Sequence, residues 1–150
     1  VAIADLVLTL RIDLADPESA LFEDDVLQRC IHKGVYRLAR DLEVSLSVVG
    51  DEVVPDPEGE TRELLLLLGQ IHACQVMRAT TANTFSFSSG DKRVDKTKQP
   101  EHWAKLEEDL KALYKQRLSE IKPGAAASPE DYIISPSDMK PIIYEQGGDL

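Results

Sequence analysis

Cations are scarce in this chain: 17 Lys and Arg stand against 27 Asp and Glu in 150 residues, a formal charge of −10. Proteins that grip a nucleic acid backbone do so with clustered Lys and Arg that release counterions, so this balance argues against that role. It argues equally against attachment to an anionic membrane. Two cysteines, 44 positions apart, support no disulfide framework, and a reduced intracellular protein is the expectation. Long apolar runs are missing too. Leu64 to Leu68 is far short of the roughly 20 residues a bilayer requires, and no basic-then-apolar leader opens the sequence. Aromatic residues amount to only 5%, with a single Trp.

What the chain does have is 43% hydrophobic residues, enough for one real core at this length. The acidity is uneven: residues 1–60 carry 14 acidic and 5 basic side chains, whereas residues 61–150 are nearly balanced. Ile3, Leu6, Val7 and Leu10 have helical spacing, although Leu6, Leu8, Leu10, Ile12 and Leu14 also alternate; a short helix is preferred. Asp16-Pro17 then marks a turn. From about Phe22 to Leu42, apolar residues recur in steps of three and four, and Glu23, Asp24 and Asp25 favour a helix start there. Gly34 in its middle suggests a close helix–helix contact. Residues 43–60 are broken by Gly and Pro and allow at most a small hairpin or extended arm.

Thr61 is placed to cap a third helix running to about Ala79. Five consecutive leucines in it leave no polar side, so other elements must enclose it. Residues 80–98 read as a long excursion. Pro100 then opens a final helix to about Ile121, with Trp103, Leu106, Leu110, Leu113, Tyr114 and Leu118 on one face. Lys122-Pro123-Gly124 stops it. The fold class expected is all-α: a small bundle of about four helices over residues 1–122, with a long loop and an extended C-terminal interaction tail over 123–150.

Motifs for chemistry are few. No phosphate-binding Gly-rich loop, dinucleotide fingerprint, nucleophile elbow or His-Glu-x-x-His motif occurs. Cys30-x-His32 and His72-x-Cys74 offer two thiols and two imidazoles, yet residues two apart on a helix point about 200° apart, so neither pair converges on one metal. No catalytic residue, cofactor or metal is expected. The stronger signals are for contact. Phe85 and Phe87 would share one face of an extended segment, and Lys92, Arg93, Lys96 and Lys98 follow as the densest basic patch. They suit an acidic protein surface, this chain's own front half included; the alternative is rings folded back on the bundle beneath solubilising lysines. In the tail, Tyr132, Ile133 and Ile134, with Ile142, Ile143 and Tyr144, are too short to fold alone and could add a strand to a partner.

Three stretches in this order resemble the head–tail connector (adaptor) proteins of tailed bacteriophages: LTLRIDLADPESALFEDDVLQRCIHKGVYRLARDL, then VVPDPEGETRELLLLLGQIHACQV, then FSFSSGDKRVDKTKQPEHWAKLEEDLKALYKQRL. The resemblance spans roughly residues 3–121 and rests on segment order, not on a catalytic signature. It implies a small helical bundle that assembles with itself in a ring, usually of twelve. Such a ring sits beneath the portal protein at the virion's capsid vertex, after assembly in the host cytoplasm. It would seat a stopper or tail-completion protein and extend a channel through which double-stranded DNA passes without specific binding. It implies interface roles for residues 84–98 and 125–150, and no enzymatic one. An acidic wall fits such a conduit, because it repels phosphate over a Debye length of roughly 8 Å. The competing expectations are an oligomeric helical scaffold or regulatory adaptor unrelated to virions, and a small enzyme whose groups meet only in the fold.

Overall fold

The computed structural model describes residues 1–87 and 93–122, with side chains for 1–83 and 100–122. These contain four helices and one hairpin: α1 (Ile3–Asp13), α2 (Asp24–Leu42), β1 (Ser47–Val49), β2 (Glu52–Val54), α3 (Gly59–Phe87) and α4 (Arg93–Ile121). The all-α bundle expected from the sequence is what the chain forms.

In α1 the helical period wins over the alternating one. Ile3, Leu6, Val7 and Leu10 turn inward, while Leu8 and Ile12, which a strand would have placed with Leu6 and Leu10, face solvent. The start of α1 is fixed by the hairpin: Ile3 N–H donates to the Asp51 carbonyl at 2.9 Å, and Val53 N–H to the Val1 carbonyl at 2.8 Å. The hairpin pairs Val48 with Val53 in antiparallel register and turns at Gly50, whose φ of +61° lies in the left-handed region. Val53 is fully buried.

The turn after α1 is organised by Asp16. Its carboxylate accepts backbone N–H bonds from Ala20 at 2.7 Å, Leu21 at 3.1 Å and Phe22 at 3.0 Å, and faces the Arg11 guanidinium at 3.3 Å. Arg11 in turn holds Asp24 at the start of α2 at 2.6 Å. Both Arg11 and Asp16 are buried, so this node satisfies the loop amides that carry Phe22 into the core. Phe22 meets Trp103 of α4 edge to face, with ring centroids 6.2 Å apart.

Helix α3 is the axis of the bundle. Leu64, Leu65, Leu66, Leu67 and Leu68 are all at most 5% exposed, so the five-leucine run is enclosed by this chain's own elements. Two glycines permit the close approach. A Cβ on Gly34 of α2 would lie 3.0 Å from Leu65 Cδ1 and 3.3 Å from Leu68 Cβ; one on Gly69 would lie 3.0 Å from Leu10 Cδ2 of α1.

Three boundaries differ from the sequence expectation. Helix α3 begins at Gly59, ahead of Thr61, and continues to Phe87, while α4 begins at Arg93, so most of the expected 80–98 excursion is helical backbone. The polar threonines that suggest a loop bond back onto their own helix: Thr80 Oγ1 donates to the Val76 carbonyl at 2.9 Å and Thr81 Oγ1 to the Met77 carbonyl at 2.7 Å. Pro100 is inside α4, not at its first position. Along α4, Tyr114 and Leu118 are buried as expected, but Leu106 and Leu113 are 42% and 36% exposed; the apolar stripe is wider than the surface that α3 covers. At its end, Lys122 donates to the Leu42 carbonyl at 3.3 Å and pairs with Glu43 at 2.6 Å, joining the C-termini of α4 and α2.

Candidate interaction surfaces

The polar groups inside the bundle tie helices together. Tyr114 of α4 donates its hydroxyl hydrogen to Asp41 of α2 at 2.7 Å. The Arg37 Nε–H reaches the same carboxylate at 3.0 Å, and the guanidinium lies 5.6 Å from the Tyr114 ring centroid. Burial, then the Asp41 carboxylate, pushes the Tyr114 phenol well above its ordinary value, so it remains a donor. On the neighbouring face Glu107 is buried and takes Arg78 of α3 at 3.0 Å and Lys111 at 2.7 Å. Its burial opposes ionisation, but these two cations hold its carboxyl below the usual range.

The two cysteines and His72 are close to this region. Cys30 and Cys74 are buried free thiols on α2 and α3, and burial pushes both up to about 11. A thiol held protonated is a poor nucleophile and a poor metal ligand. His72 Nδ1 lies 3.3 Å from Gln75 Oε1, whereas its Nε2 is shielded from solvent with no hydrogen-bond partner. Burial lowers the His72 pKa, and Lys33 and Arg37 add to that, so the imidazole is neutral near pH 7. Among the described residues no group of three or more His, Cys, Asp or Glu is arranged to hold a metal ion. An open cleft of about 510 Å³ between α3 and α4 is lined mainly by Ala79, Ala82, Pro100 and Ala104, and its Arg78 is the one already engaged by Glu107.

Outside the core, apolar side chains form two helical ridges. On α1, Ala4, Leu8 and Ile12 follow one another at four-residue steps, and Leu8 and Ile12 are 62% and 71% exposed. On α4, Leu106, Leu113 and Ile121 emerge beside the half-buried Leu110. No described helix is long and apolar enough to cross a membrane.

The contact residues singled out from sequence are not among those with described side chains. Phe85, Phe87, Arg93, Lys96 and Lys98 are on helical backbone, which replaces the extended segment expected to align the two rings; Lys92, Tyr132, Ile133, Ile134, Ile142, Ile143 and Tyr144 lie outside the described residues. Sequence reading missed the outer ridge of α1, whose signal was present in the alternation of Leu8 and Ile12 with the inward set. It also missed the Asp16 node, for which Asp-Pro signals a turn but not the residues it caps. Compared with family models, curated proteins and solved structures, the chain matches none.

Proposed function

We propose that this chain is a structural head–tail adaptor of a tailed phage, forming a ring between the portal and a stopper or tail-completion protein. The observation that supports this best is a bundle that closes its own core and still presents separate apolar ridges on α1 and α4. A single exposed leucine is ordinary, but residues repeated at helical spacing on two elements are the pattern of a protein packed between neighbours. The segment order described above supplies the identity of those neighbours, and the net charge of −10 suits a wall past which DNA must slide.

In this role the chain works by shape and surface. Closed rings need two different patches that meet head to tail, and the ridges of α1 and α4, being unlike, meet that requirement. Sedimentation of the purified chain with portal-bearing capsids tests the reading. The expected result is saturable co-sedimentation at a fixed number of copies per vertex. No association with capsids that display the portal would refute it.

A further inference from the structure

We propose that the outer face of α2, formed by Arg29, Lys33, Tyr36 and Arg40, receives the acidic 51–60 segment of a second copy of this chain. The proposal deepens the ring-forming reading and rests on it. Residues 29, 33, 36 and 40 follow steps of four, three and four, so they lie along one line of the helix for about 16 Å. All four are exposed, Tyr36 by 62%. The first sixty residues hold only five basic side chains; Arg11 is buried in the Asp16 node, and three of the other four stand on this line.

Arg29 and Lys33 have no ion pair among the described residues. Arg40 has only Asp41, at 3.6 Å. Asp25 stands at the N-terminal end of the same face and bonds the adjacent Val26 amide at 2.8 Å. The stripe is therefore a cationic strip around an aromatic centre, on a molecule that is otherwise anionic. Tyr and Arg, with Trp, are enriched at the energetic centre of protein interfaces.

The complementary surface is on the same chain. Asp51, Glu52, Asp56, Glu58 and Glu60 are five exposed carboxylates within ten residues, and no Lys or Arg occurs between Arg40 and Arg62. Of the five, only Asp56 has an ion pair among the described residues, to the Val1 amine. The hairpin holds Asp51 and Glu52 in place, and Gly59 and Glu60 open α3, so the anionic segment is presented by ordered backbone. Positive stripe and negative segment are different patches, which gives the heterologous contact that a ring requires.

The test is charge reversal with restoration, read by analytical ultracentrifugation of the full chain alone and on portal-bearing capsids. Arg29→Glu/Lys33→Glu is expected to weaken self-association at least about tenfold, with an unchanged thermal midpoint. Asp51→Lys/Glu58→Lys should do the same, and a chain carrying all four changes should recover assembly. Raising the salt from 50 to 500 mM should weaken the wild type and have less effect on either double variant. Wild-type assembly by Arg29→Glu/Lys33→Glu overturns the proposal while leaving the ring reading standing. Duplex DNA binding that this variant loses, with self-association intact, also overturns it. A wild-type chain that stays monomeric even with the portal contradicts the ring reading itself.

Discussion

Gly34 shows how one missing methyl sets the spacing of two helices. Glycine inside a helix costs roughly 1 kcal/mol against alanine, and it is kept where α2 lies against the Leu65 and Leu68 side chains. Leu68 Cβ is fixed to the α3 backbone and cannot swing aside. Gly34→Val is therefore expected to destabilise the chain by about 1–3 kcal/mol in urea titration, through overpacking. At His72 the relevant quantity is pH. Its pKa is lowered in the fold, so the unfolded chain takes up the proton first, and stability present above pH ~6.5 is lost as pH falls below it. Urea midpoints measured between pH 7.5 and 5 should decline for the wild type and change less for His72→Gln. Asp16 behaves in the same sense at lower pH. Despite its burial, three amides and Arg11 depress its pKa, so its contribution is lost only as pH falls through the ordinary carboxylate range and beyond.

At the scale of elements, α3 and α1 separate what holds the bundle from what it displays. Leu66 is 2% exposed within the five-leucine run, and Leu66→Ala should cost about 2–5 kcal/mol. Leu8→Ser/Ile12→Ser on the outer ridge of α1 should change stability by less than about 1 kcal/mol, yet reduce capture by portal-bearing capsids. Equal loss of stability in both variants would show that the ridge belongs to the core. This division was partly legible in the sequence. Periodicity located all four helices, because amphipathic repeats and the five-leucine run reflect burial that each helix meets locally. The ends were harder to read. Thr80 and Thr81 look like loop residues until their hydroxyls are seen bonding back to Val76 and Met77. The width of the α4 stripe promised burial for Leu106 and Leu113, but how much of it a neighbour covers depends on where α3 lies, which no local pattern encodes. The cationic line on α2 was hidden because a strip of charge at helical spacing is indistinguishable, in sequence, from an ordinary solvated face.

The whole molecule joins a closed apolar core to surfaces of three kinds: apolar ridges, a cationic stripe and anionic segments. In the role proposed above, a self-contained bundle would be made before its partners arrive, and patches of unlike character would then order the copies around a portal. The measurement that tests this most directly is cryo-electron microscopy of a capsid vertex assembled with the purified chain. The account predicts a closed collar of this helical bundle beneath the portal, with α2 of each copy against the 51–60 segment of the next. A bare vertex, or a chain bound there as isolated monomers, would contradict it.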